Sequence, residues 1–221
     1  MQYVPYINGD TKNKIFVMNK RDYYLKRKRK IWEKYWKDND GTDILRPNGF
    51  KEYPEEIYNI FLNLIDRDGK IIDLGCGNGL LLKHIITRSK YKLIPYGVDF
   101  IEESIEQAKN IILPEYAQNF TVANIVDYEM GENEYDFILF DPYSVHHDDL
   151  RDMIEKIYRA CKEGGKIIFY TYRDVLMVLR IIYLIKFRWI SWVGDLLPKD
   201  VKRNLDRRDY KKVSIGILYK K

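Results

Sequence analysis

Ten residues, Lys70-Ile-Ile-Asp-Leu-Gly-Cys-Gly-Asn-Gly79, limit what this chain can fold into more than any other stretch. Ile71 and Ile72 lead to an acid, Asp73, and then to glycines at alternate positions, Gly75, Gly77 and Gly79. Leu80-Leu-Leu-Lys-His-Ile-Ile86 follows at once, apolar enough for a helix packed on a sheet. The order is strand, tight turn, helix. Residues without side chains let a ligand lie on the backbone, against free N–H groups and the positive end of the helix dipole.

Spacing narrows the ligand. The dinucleotide fingerprint needs G-x-G-x-x-G, but its third position falls on Leu80 or Leu82 in the two available registers. A phosphate-binding P-loop needs Gly-Lys-Ser/Thr at its end, and this turn has none. An acid before the glycines suits a ligand with a cationic end and no phosphate.

Downstream, the pattern of a doubly wound α/β sheet continues. Tyr96-Gly-Val-Asp99 is a second strand ending in an acid twenty residues past Gly79, where such folds place a carboxylate for ribose hydroxyls. A helix over 101–109 follows, then a short strand over Phe120–Ala123. Tyr135-Asp-Phe-Ile-Leu-Phe-Asp141 is a fully apolar fourth strand, running into Pro-Tyr-Ser-Val-His146-His147. Leu150, Met153, Ile154, Ile157, Tyr158 and Cys161 share one face of a helix that Glu163-Gly-Gly165 stops. Lys166–Tyr172 is a fifth strand and Val213–Tyr219 the closing one.

Asp73-Leu-Gly-Cys-Gly-Asn-Gly79 resembles motif I of the class I S-adenosylmethionine-dependent methyltransferases, and the likeness extends over about 54–172. It implies a mostly parallel, seven-stranded Rossmann-like sheet whose closing strand is inserted antiparallel. The implied S-adenosyl-L-methionine site comprises Asp73, Gly75, Cys76, Gly77, Gly79, Asp99, Phe100, Asn124 and Ile125. Asp99 would grip both ribose hydroxyls, and Asn124 or Asp127 would meet the adenine amino group. Proton acceptors for the transfer would come from His146 first, then Tyr143 and Asp141. Asp141-Pro-Tyr lacks the second proline of the Asp/Asn-Pro-Pro-Tyr motif of adenine and glutamine methylases. The Val-His-His ending is similar instead to enzymes of small molecules, lipids or sugars. No metal site is expected: adjacent ligands in His146-His147-Asp148-Asp149 do not readily converge from a helix start.

One domain accounts for the 221 residues, with 1–50 as an N-terminal cap, 51–172 as the cofactor-binding core, 173–212 as a lid or substrate insertion and 213–221 as the last strand. Residues 1 to about 19 read as irregular, and Lys20–Lys37 as a helix with Tyr24, Arg27, Ile31 and Tyr35 on one face. Its run Lys26–Lys30, within a chain of net charge +5, opens the alternative of an RNA methyltransferase or nucleic-acid-binding module docking there. The bland alternative is a solvated cap helix. Residues 175–193 are apolar with scattered cations, fitting a lid over an acceptor pocket, a dimer contact or a peripheral membrane contact. Two cysteines and no secretory pattern suggest a reducing, cytoplasmic setting.

Overall fold

The computed structural model describes residues 3–6, 16–38, 55–172, 194–197, 199–210 and 213–221. The turns expected over 39–49, the 175–193 segment and the side chains of Trp32, Tyr35 and Trp36 lie outside the described residues.

Nine strands and five main helices are described. The segment read as irregular contains a two-stranded antiparallel ribbon instead, β1 (Tyr3–Tyr6) on β2 (Phe16–Asn19). Helix α1 (Lys20–Asp38) continues from it, and α2 (Glu55–Leu62) leads into the sheet. There follow β3 (Gly69–Leu74), α3 (Leu80–Arg88), β4 (Leu93–Asp99) and α4 (Glu102–Gln107). A π-helical turn at Ala108–Ile112 and a 3-10 turn at Pro114–Asn119 join α4 to β5 (Phe120–Val122). The second half runs β6 (Tyr135–Phe140), α5 (Leu150–Ala160), β7 (Cys161–Tyr172), β8 (Leu205–Asp209) and β9 (Val213–Tyr219).

The large sheet has seven strands in the order β5-β4-β3-β6-β7-β9-β8. From β5 to β7 all pairings are parallel, and β9 enters antiparallel between β7 and β8. The closing strand is thus where the family resemblance puts it. The seventh strand, β8, is not legible in the sequence: Leu205-Asp-Arg-Arg-Asp209 is charged and reads as solvated. Those charges suit an edge strand, where they blunt pairing with another chain. Cys161, expected on a helix, begins β7, because α5 stops at Ala160 before the Gly164-Gly165 pair.

Apolar residues on successive positions bury both faces of the central strands, as parallel sheets require. Ile71, Phe137, Leu139 and Ile168 face α2 and α3 with Phe61, Leu82 and Ile85. Ile72, Ile138, Phe140 and Phe169 face α5 with Leu150, Met153, Ile154 and Ile157. Among the described residues no helix is long and apolar enough to cross a membrane. Strand order reverses between β3 and β6. Beyond the carboxyl ends of those two strands lies the crevice where open α/β sheets bind ligands.

Candidate active site

Three strands deliver acids to that crevice. Asp73 sits near the end of β3, Asp99 closes β4, and Asp141 follows β6 directly. Asp73 is buried and accepts a hydrogen bond from the Tyr170 hydroxyl of β7 at 3.3 Å. Burial pushes its carboxyl up to about 7, and the nearby charges of Asp99 and Asp141 push the same way. Burial likewise raises Asp99, against the backbone N–H groups that bond it. Carboxyls held this far from water favour a cation beside them.

The glycine turn provides the bare surface. Gly75 adopts φ +95°, and a Cβ built there meets nothing within 4 Å. Backbone strain, not crowding, therefore demands glycine, and the space above the chain is open to a ligand. Beneath the turn, the N–H groups of Gly75 and Cys76 both donate to the Val98 carbonyl, at 2.8 and 3.1 Å. Cys76 is buried, with its thiol raised well above the usual range by burial. Its sulfur underpins the turn. Gly97 makes room for it: a Cβ at that position would lie 2.7 Å from the Cys76 sulfur and 2.6 Å from the Phe120 ring. Gly97 is a site residue that sequence reasoning passes over, since an unremarkable mid-strand glycine carries no local signal. Tyr170 is missed for the same reason, the hydrogen bond to Asp73 spanning 97 residues.

Asp99 has a second task beyond the one expected of it. One carboxylate oxygen accepts from the Gly77 N–H and the other from the Ile101 N–H, both at 2.9 Å. The acid thereby ties the glycine turn of β3 to the start of α4. With the Phe100 N–H as a further backbone donor, the carboxylate still has acceptor capacity left for a ribose hydroxyl. Gly79 precedes α3, and Phe100 is half-buried beside Asp99. Asn124 closes its own turn, its side-chain oxygen accepting from the Val126 N–H at 3.1 Å, while Asp127 is exposed and Ile125 buried.

A short 3-10 turn, Pro142–Ser144, carries the chain away from β6, capped by the Asp141 carboxylate, which accepts from the Tyr143 N–H at 3.0 Å. Burial lifts this carboxyl to about 6, with the Lys28 ammonium pulling it down. Lys28 comes from the centre of α1 and donates to the Tyr143 carbonyl at 3.0 Å. Tyr24, one turn earlier, donates to the carbonyls of Tyr143 and Val145 at 3.4 and 3.3 Å. Helix α1 is thus clamped over this loop by Tyr24 and Lys28. Of the face expected from periodicity, Tyr24 makes this contact, whereas Ile31 is 54% exposed and Arg27 is exposed.

His146 is buried, with the Tyr24 ring edge-on at 4.8 Å. Its Nδ1 lies 3.3 Å from the Asp148 carboxylate, whose other oxygen is 2.7 Å from His147 Nε2. The divergence expected of these neighbours is not found: one ligand atom from each of the three falls within 4.8 Å of the others. The two rings lie 4.2 Å apart, centroid to centroid, and a turn begun at His146 brings the Asp148 carboxylate to one nitrogen of each. A cavity of about 660 Å³ lies elsewhere, at the amino ends of β3 and β4, between α3 and the 3-10 turn at Pro114–Asn119.

The crevice fits S-adenosylmethionine. An uncrowded turn backbone can take its nucleoside, and the buried acids complement its positive charge. Comparison with known proteins agrees. A family model described as a methyltransferase domain matches residues 65–204. The PH0226 protein of Pyrococcus horikoshii shares the fold with a TM-score of 0.62 at 17% identity, covering 85% of this chain and 99% of that one. An O-methyltransferase family protein of Burkholderia thailandensis gives 0.56 at 15% identity, covering 84% and 62%. In sequence, the tRNA N(3)-methylcytidine methyltransferase trm140 of Schizosaccharomyces pombe is 25% identical over 173 residues, 72% of this chain. The chain spans about half of that curated relative, 54%. Because the domain match runs over more than half of its length, the chain belongs to the methyltransferase-domain family, class I and S-adenosylmethionine-dependent.

Proposed function

We propose that the protein transfers the methyl group of S-adenosylmethionine to a hydroxyl or amine of a small molecule, a glycan or lipid-linked acceptor among them. The observation that carries this reading is the clamp of α1 over the loop after β6. Tyr24 and Lys28 hold that loop by its carbonyls, and His146 packs beneath Tyr24. An acceptor reaching Asp141 under such a cover must be slim.

When bound, the cofactor supplies a methyl already activated by the sulfonium. The chain must orient the acceptor and, for a hydroxyl, take its proton. Of His146, Tyr143 and Asp141, we assign that proton to Asp141. Its carboxyl closes β6 beside the cradle, and burial places it near 6, where it is ionised at neutral pH yet still basic. His146 has its Nδ1 turned to Asp148 and its ring against Tyr24. Tyr143 supplies the main-chain groups that Asp141 and Lys28 bond.

A second reading has its own observation. Helix α1 carries nine Lys and Arg against three acids, a net +6, more than the +5 of the whole chain. Arg27, Arg29, Lys30 and Lys34 are exposed, and a relative acts on tRNA. On that reading α1 lies along an RNA backbone. One experiment separates the two: methyl transfer from labelled cofactor to panels of small molecules and of RNA, repeated at rising salt. Small-molecule turnover holds nearly constant with salt, whereas phosphate binding through several cations falls steeply. Label in RNA alone, lost at higher salt, overturns the first reading.

A further inference from the structure

We propose that His146, His147 and Asp148 form a binding site for a divalent transition metal of the zinc class on the loop between β6 and α5. Two imidazoles and one carboxylate are a borderline-soft nitrogen and oxygen set, which suits zinc, cobalt or nickel and not magnesium. The donor atoms already converge, all within 4.8 Å of one another. Around a zinc ion with bonds of about 2.0–2.2 Å, neighbouring tetrahedral donors stand about 3.3 Å apart. His146 Nδ1 is 3.3 Å from one carboxylate oxygen of Asp148, and His147 Nε2 is 2.7 Å from the other.

The local hydrogen bonding supplies an independent reason. The Asp148 N–H donates to His146 Nδ1 at 3.3 Å, so that nitrogen presents a lone pair. The same nitrogen faces the Asp148 carboxylate at 3.3 Å. A cation taken up on that lone pair would lie beside the carboxylate and be held by both groups. The backbone contact that it would replace is long for an N–H···N bond. Tyr24 edge-on at 4.8 Å fixes the His146 ring, so one ligand is ordered in advance. The other two, with side chains 57% and 61% exposed, leave the ion an entry path from solvent. Three protein donors leave a fourth position for water. Metal on Nδ1 also keeps the His146 proton on Nε2, which agrees with assigning the acceptor's proton to Asp141.

Zinc(II) titrated into the chelator-treated full chain, followed by calorimetry, tests this without any methyl acceptor. The expected result is one zinc per chain, bound at least tenfold more tightly than magnesium(II). H147A and D148N each weaken zinc binding tenfold or more, and cobalt(II) gives the intense visible absorption of a tetrahedral site in the wild type alone. Both variants replace exposed side chains, so unchanged cofactor affinity shows that they are folded. No zinc binding by the wild type, or equal zinc binding by wild type and both variants, overturns the proposal. The methyltransferase reading survives either result.

Discussion

Replacing Asp73 by asparagine probes the electrostatics of the crevice most directly. Burial raises the carboxyl from 3.8 to about 7. At about 1.4 kcal/mol per tenfold change in the ionisation constant, that corresponds to about 4 kcal/mol. A carboxyl raised on folding stabilises the fold below its unfolded pKa of about 4, and this contribution is lost as pH rises through about 7. Above that, the cofactor-free protein holds an ionised acid it would rather keep protonated. Asparagine removes the charge and keeps an oxygen for the Tyr170 hydroxyl. Its amide N–H groups, set where the carboxylate was, give back about 1–3 kcal/mol. Asp73→Asn should therefore be more stable than wild type at pH 8 by roughly 1–3 kcal/mol, a rise in Tm of about 3–10 °C for a chain this size. The gain should vanish near pH 4. Cofactor affinity should move the other way, falling about 10- to 100-fold with loss of a charged hydrogen-bonding partner. Melting curves at both pH values, with calorimetry at pH 8, read out both effects. A variant that melts no higher than wild type at pH 8, or by the same margin at pH 4, would refute the reasoning.

Three further outcomes are expected. Asp99→Ala, which frees the N–H groups of Gly77 and Ile101, should lower Tm and, if Asp99 also accepts from the ribose as proposed, weaken cofactor binding about 10- to 100-fold; an unchanged dissociation constant would remove Asp99 from the site. Gly97→Ala forces a methyl against Phe120 and the Cys76 sulfur, so the denaturant midpoint should fall by the equivalent of about 1–3 kcal/mol. Lys28→Met removes the cation that lowers Asp141, so the acidic limb of kcat/KM should move to higher pH; a limb that stays in place counts against Asp141 as the proton acceptor.

How much of this could be read without coordinates depends on how local each feature is. The strand–turn–helix at Lys70–Ile86 is legible because its signals lie within one stretch: two isoleucines, an acid, three glycines and an apolar run. Strand β8 is not, since an edge strand facing water carries the residues of a loop. The face of α1 is read only in part, at Tyr24, because its contacts are polar: Tyr24 and Lys28 reach main-chain carbonyls, which hydrophobic periodicity does not register.

The amino-acid order by itself determined the doubly wound sheet and the acids at its strand ends, because short-range pattern dictates each of those, and the likeness of Asp73–Gly79 to a known motif added the cofactor. Tertiary structure alone decided that Tyr170 reaches Asp73, that Gly97 admits Cys76, that α1 roofs the loop after β6, and that His146, His147 and Asp148 turn towards one point. The first three join positions far apart in the chain. The last depends on the backbone turn at His146, which composition does not encode.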